Sequence, residues 1–316
     1  MRLFLKLLAC VIVAYGLAAY MTIPASPEIR FWQHVVELRD AEIAQVRAEK
    51  PGTPIIFFTG GSSCAFSIDP KIVEETCGLP AFNLGLPVSA GPKFLLHQAL
   101  EKCRKGDILV ISLEPDALTY PSDFAPTTLT FGLAVLAGSP SATVGGSSFG
   151  EHISIRDCLN YSRPGPGYVT TWLAKSATGK GYRYENKDIR YHGRIETSVS
   201  DPSLPLAGHK QVDRICQSGH EFLTTFQKAA AAKGVQLVYS MPWMLTAKDA
   251  APENRAANLK ILESIKPILP AIDDGHQGVA TDPKLFSDSG QHLSAAGSKI
   301  RSSALANALQ AWLKIH

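Results

Sequence analysis

The sequence predicts an α/β protein in which a parallel sheet carries helices on both faces and a long irregular insertion interrupts the core. Three observations carry this. Short apolar runs at residues 55–59, 81–84, 107–113 and 235–241 are rich in Ile, Val, Leu and Phe, as strands buried on both faces are. Helical segments separate them, and a β-α-β-α-β order implies parallel strands joined by right-handed crossovers. From Pro121 to about Ala207 the alternation dissolves into Gly, Ser, Pro and Thr with scattered aromatics, a length that inside an α/β core marks a functional segment or a subdomain.

The elements follow in chain order. Residues 1–26 read as a leader, in which Arg2 and Lys6 precede an apolar stretch over 7–23. That layout is a signal peptide or an uncleaved signal anchor, at the short end of the roughly 17–25 residues that span a bilayer. The basic start places the N-terminus on the cytoplasmic side. The expected location is therefore membrane-anchored with the domain periplasmic or extracellular, or secreted if the leader is cleaved. Leu7-Leu8-Ala9-Cys10 faintly matches a lipoprotein box, and a buried N-terminal helix is the remaining reading.

Residues 27–50 read as a helical stalk, ended by Pro51-Gly52-Thr53-Pro54, with the α/β domain over 51–316 and its insertion at 121–207. The first strand, 55–59, leads through glycines and serines to a helix over 68–77 closed by Gly78. Strand 81–84 is broken by Gly85-Leu86-Pro87. A helix over 93–103 places Leu95, Leu96, Ala99 and Leu100 on one face. Strand 107–113 precedes the insertion. A helix over 212–232 ends at Gly234, followed by strand 235–241, a helix over 254–269 and a short strand at 271–273. A last helix, 294–315, begins at Ser294 as N-cap.

The chain has 316 residues, 45% hydrophobic and 19% charged, with a net charge of +3. That length is enough for a full core. No basic run or basic–aromatic interleaving points to nucleic acid. The six cysteines form no CxxC, and His97, His152, His192, His209 and His276 lack metal-ligand spacing, so no metal or cofactor is expected. Cys158 and Cys216 are candidates for a bridge in an exported protein, with buried free thiols as the alternative.

Two short segments carry the chemistry. Gly60-Gly61-Ser62-Ser63 lies where the first strand meets the first helix, and Asp288 and His292 lie four residues apart just before the last helix. A serine needs a base to take its proton, and the base needs a carboxylate to orient it. Glycines allow a sharp turn and close approach of a substrate. The backbone N–H groups of the turn and of Gly85 are candidates to hold an oxyanion, in the crevice beyond the strand ends. Alone, the serines would read as an N-cap pair, and a Cys64 nucleophile is a minor alternative.

These blocks resemble the SGNH (GDSL-like) hydrolase superfamily, and within it envelope-associated members whose first block reads GSS…GIDP. Here that block is Gly61-Ser62-Ser63-Cys64-Ala65-Phe66-Ser67-Ile68-Asp69-Pro70. The second block matches Asn83-Leu84-Gly85, and the last matches Ser287-Asp288-Ser289-Gly290-Gln291-His292-Leu293 with Gly297. The likeness covers about residues 51–118 and 211–314. It implies a flavodoxin-like three-layer sandwich, Ser63 as nucleophile, His292 as base, Asp288 as its orienter, and an oxyanion hole built from Ser63 and Gly85. Two departures stand out: the Asp–His spacing is one residue longer than D-x-x-H, and the third block reads Leu113-Glu114-Pro115-Asp116 with no Asn. Asn83 is the candidate replacement. Glu114 and Asp116 are expected as structural carboxylates or rim contacts to substrate hydroxyls, and Trp243, at another strand end, as a crevice platform.

The resemblance and the leader together imply an exported serine esterase or O-acyltransferase acting on ester groups. O-acetyl groups of an envelope or extracellular polysaccharide are the expected substrate, with no cofactor and no nucleic acid. An inactive SGNH-fold glycan-binding or scaffold protein of an export machine, and a lipid esterase or thioesterase, are the alternatives.

Overall fold

The computed structural model describes residues 1–25, 27–120, 182–197, 203–209 and 212–315. Most of the expected insertion, and Cys158, lie outside the described residues. The chain divides into two units, Met1–His34 with Pro126–Glu185, and Val35–Ala125 with Asn186–His316.

In the first unit, α1 (Arg2–Ala25) is helical along its length. Leu3, Phe4, Leu5, Leu7, Leu8, Val11, Ile12, Val13 and Leu17 are all exposed. Among the described residues no helix is long and apolar enough to cross a membrane. In α2 (Pro27–Glu49), Phe31 contacts the rings of Tyr182 and Tyr184, and the Trp32 indole donates to the Tyr182 hydroxyl at 3.0 Å.

The second unit holds the sheet. Strands β1 (Ile56–Gly60), β2 (Ala81–Asn83), β3 (Ile108–Ser112), β4 (Gln236–Ser240) and β6 (Ala271–Ile272) are all parallel, in the order β2-β1-β3-β4-β6. Their boundaries fall within two residues of those read from the sequence. A small parallel pair, β5 (Met244–Leu245) and β7 (Val279–Ala280), was not legible there.

Alternation along each strand builds a core on each face. Ile56, Phe58, Ile108, Val110 and Val238 share one cluster with Cys64 of α3 (Ser62–Ser67), Val73 of α4 (Pro70–Cys77) and Leu305 and Leu309 of α9 (Ala295–Leu313). On the other side α5 (Pro92–Lys102) packs on β1 and β3, and α7 (Gln217–Lys233) packs on β4. The result is three layers, helix–sheet–helix.

Helix ends obey the sequence signals. Gly78 and Gly234 close α4 and α7 in the left-handed conformation, at φ 72° and 71°. Ser294 caps α9 by accepting from the Gly297 N–H at 3.3 Å. Cys216 is a free thiol whose sulfur caps α7, so it is not in a bridge.

From Val35 onward α2 does not behave as a free stalk. Val35, Arg39 and Ile43 are buried, because that half of the helix packs on the domain. Arg39 donates to the Gly193 carbonyl at 2.6 Å, and burial pulls its pKa down to about 9. Arg47 reaches Asp107 in a buried ion pair and lies 5.8 Å over the Phe57 ring. Asp107 also accepts from the N–H groups of Ile55 (2.9 Å) and Arg104 (2.6 Å).

Asp107 therefore joins α2, the entry to β1 and the entry to β3. Removing its carboxylate would leave Arg47 buried without its counter-charge, which costs about 3–5 kcal/mol. We expect Asp107→Ala to lower the unfolding free energy by that amount in urea titration. A loss below about 1 kcal/mol would mean that α2 contributes little to the fold.

Candidate active site

The strand order sets the location. The chain steps outward from β1 to β2, then reverses to β3 on the other side of β1, and such a reversal opens a crevice at the carboxyl ends of the two strands. Gly60-Gly61-Ser62 leaves β1 at this point and Glu114 leaves β3.

Ser62 Oγ lies 2.8 Å from His292 Nε2, and His292 Nδ1 lies 2.8 Å from Asp288 Oδ1. A carboxylate only accepts, so Nδ1 carries the proton and Nε2 is left to accept from the Ser62 hydroxyl. Asp288 is fully buried at its side chain and His292 nearly so, at 0% and 11% exposed. The arrangement can deprotonate Ser62 and stabilise the imidazolium that results.

The serine beside His292 is displaced by one residue from the one expected. Ser62, not Ser63, meets His292. Gly61 is the N-cap of α3, so Ser62 is its first residue, and each further residue turns about 100° around the helix axis. That rotation takes Ser63 into the interior, where it is 1% exposed. Cys64 is also buried, 3.6 Å from Asn83 Oδ1, and burial pushes its thiol up to about 12; it is not poised as a nucleophile.

The Asp288–His292 pair forms despite its longer spacing because the chain is pinched around it. Phe286 and Leu293 make an antiparallel bridge. The Ser287 N–H donates to the His292 carbonyl at 2.9 Å, and the Ser294 N–H donates to the Leu285 carbonyl at 2.8 Å. The Ser289 hydroxyl accepts from the N–H groups of Gln291 and His292, both at 3.2 Å. The extra residue is absorbed in this loop.

The oxyanion donors expected from the sequence are committed elsewhere. The Gly85 N–H donates to Asn83 Oδ1 at 2.9 Å. The Asn83 amide donates to the carbonyls of Cys64 and Ile68, each at 2.8 Å, because Asn83 is fully buried and must satisfy its own polar atoms. The Ser63 N–H donates to Glu114 Oε1 at 3.2 Å. The Ser62 N–H has no acceptor among the described residues, which leaves it available to a substrate oxygen.

Glu114, Asp116 and Trp243 line one cleft of about 270 Å³, together with Ser63, Tyr120 and Gln291 among others. Trp243 is only 1% exposed, so it belongs to the cleft wall and not to an open platform. Its indole N–H donates to Asp274 at 2.6 Å and its ring lies 4.0 Å from that of His276. Glu114 is buried against Gly61, where a Cβ would come within 2.2 Å of the carboxylate. A side chain at position 61 would have to displace that carboxylate. Below the cleft, Arg301 of α9 is fully buried, donating to Ser112 Oγ at 2.6 Å and more weakly to the Met241 carbonyl. Among the described residues no group of His, Cys, Asp and Glu is placed to hold a metal.

Two residues here had no signature as site residues in the sequence reading. Phe66 stacks on His292, and its signal was the i, i+4 spacing from Ser62. Arg301 carried no local signal, since its burial follows from the docking of α9.

No protein-family model matches the chain, and no curated protein matches it either.

Burial raises the Glu114 carboxyl above its ordinary range, while hydrogen bonding from Ser63 and the nearby His292 oppose the rise. A folded-state value above the unfolded one stabilises the protein at low pH. That contribution is lost as pH climbs through the raised value. Glu114→Gln lacks this titration. The thermal midpoint of wild type relative to Glu114→Gln is expected to fall as pH rises above the ordinary carboxylate range. A difference that stays flat or grows with pH would show that the native carboxyl is not raised.

Proposed function

We propose that this protein is an exported serine acyl hydrolase or O-acyltransferase of the SGNH kind. Its proposed substrates are ester groups, O-acetyl groups of an envelope or extracellular polysaccharide foremost. The observation that supports the reading is the continuous hydrogen-bonded chain Ser62–His292–Asp288, at the switch point of a parallel sheet. Ser62 Oγ attacks the ester carbonyl carbon and its proton passes to His292 Nε2. The ester C–O bond breaks, and the leaving alcohol takes the proton from Nε2. Water or a sugar hydroxyl then attacks the acyl-Ser62, giving its proton to His292, and Ser62 Oγ recovers it as the acyl group departs. The glycan part of the proposal rests on the resemblance and on the basic-then-apolar leader, which is read as export with or without retention as a membrane anchor.

One observation favours a second reading. With the N–H groups of Ser63 and Gly85 committed, the described residues offer the Ser62 N–H as an oxyanion donor and no Asn beside it. Loss of one such donor costs about 10²–10³ in rate. A binding protein that keeps the triad without turning over is consistent with that deficit.

A fluorophosphonate probe and acetate release from an acetylated glycan separate the two. We expect labelling of wild type and of Ser63→Ala, and none of Ser62→Ala or His292→Ala. Asp288→Asn should retain the fold and lose on the order of 10⁴ in turnover through the wrong imidazole tautomer. Labelling that persists in Ser62→Ala would refute the triad, and labelling without any acetate release would favour the binding protein.

A further inference from the structure

The helix that carries the nucleophile also carries the ring that fixes the base. Phe66 is fully buried, and its ring stacks on the His292 imidazole with centroids 4.1 Å apart and planes 10° from parallel. Ser62 and Phe66 are four residues apart on α3, so they lie on the same helix face. One short helix therefore presents a hydroxyl to Nε2 and an aromatic face to the imidazole plane.

The two hydrogen bonds of His292, to Asp288 and Ser62, lie in the plane of its ring. They fix where the ring sits along its own plane and leave its tilt about the Nδ1–Nε2 direction less constrained. A parallel aromatic face removes that freedom. Its π cloud also attracts the imidazolium that forms when Nε2 takes the Ser62 proton.

The helix is held at both ends of this contact. Asn83 grips the carbonyls of Cys64 and Ile68. The Ala65 carbonyl accepts from the Ile195 N–H at 2.9 Å. Gly85 packs so closely that a Cβ there would lie 2.4 Å from the Ala65 nitrogen. Residues between Ser62 and Phe66 therefore cannot rotate without breaking buried hydrogen bonds.

We propose that Phe66 is a positioning residue for His292, setting its tilt and stabilising its protonated form during transfer of the Ser62 proton. The proposal rests on the hydrolase reading given above. The contact is specific to this block, since a non-aromatic residue at position 66 would fill the core without providing a flat face.

The test replaces the aromatic face in two ways. Phe66→Leu keeps an apolar side chain. Pentafluorophenylalanine incorporated at position 66 keeps the ring's shape and reverses the sign of its face. The primary readout is the rate of Ser62 labelling by the fluorophosphonate probe, with kcat and KM for acetyl-ester turnover beside it. The second is the downfield proton resonance of the His292 Nδ1–H, recorded without any substrate.

We expect both replacements to slow labelling and kcat about tenfold, equivalent to about 1.4 kcal/mol, with KM little changed. We also expect the Nδ1–H resonance to broaden in Phe66→Leu and to stay sharp with the fluorinated ring. Labelling and kcat unchanged with the fluorinated ring, in a protein of normal thermal stability, would overturn the electrostatic part. A sharp resonance in folded Phe66→Leu would overturn the positioning part. Should Phe66→Leu fail to fold, the fluorinated protein decides the electrostatic part and Phe66→Met, read by the same resonance, decides the positioning part. If wild type is not labelled at all, the hydrolase reading fails, and the resonance still reports whether Phe66 orders His292.

Discussion

The site depends on one buried amide. Asn83 ends β2 with no exposed surface, so its side chain must find its hydrogen bonds inside the protein. It donates to two carbonyls at the end of α3 and accepts from the Gly85 N–H just beyond itself. A helix of six residues has little stability of its own. Tied at its C-terminal carbonyls, α3 holds a fixed rotation, and that rotation decides which serine and which ring meet His292. The residue expected to stabilise an oxyanion stands one step back, as the clamp on the helix that carries Ser62 and Phe66.

The other half of the triad depends on a loop and not on a helix. Between Phe286 and Leu293 the chain folds back on itself through backbone hydrogen bonds. Asp288 and His292 are thereby brought to 2.8 Å over a four-residue separation. Spacing along the sequence is a poor guide there, because a pinched loop can take up one residue without moving its ends. The same loop leads into Ser294, whose hydroxyl starts α9. The helix that then runs across the sheet brings Arg301 beneath the strand ends. Docking of α9 and placement of His292 are one structural event.

Much of this was legible in the sequence, and the misses share a cause. Strands with continuous apolar runs, such as 107–113, and helices closed by Gly78 and Gly234 were found within a few residues, because burial on both faces and left-handed glycine leave local marks. So were Asp288 and His292. The choice between Ser62 and Ser63 was not, since adjacent residues differ only by a rotation about the helix axis that tertiary clamping sets. The hydrogen bonds that occupy Ser63, Gly85 and Asn83 were not legible for a related reason. A buried polar group takes whichever partner is nearest in three dimensions, and sequence does not reveal that partner. The two-residue strands β5 and β7 are too short to show a period. The burial of the second half of α2 turns on Arg39 and Arg47, charged residues that read as solvent-facing until Gly193 and Asp107 are placed beside them.

The electrostatics of the cleft floor follow from the same burial. Glu114 and Arg301 are enclosed, and burial moves each toward its neutral form, raising the acid and lowering the base. Glu114 stands beside the N–H of Ser63 and against Gly61, one residue before Ser62. On the proposed reaction an oxygen anion develops close to Ser62. An ionised carboxylate there would oppose it, and a neutral carboxyl would not. Burial thus shifts the acid in the direction that acyl transfer would need, in a place where an amide side chain would carry no charge at any pH. The cost is a dependence on pH that an amide would not bring.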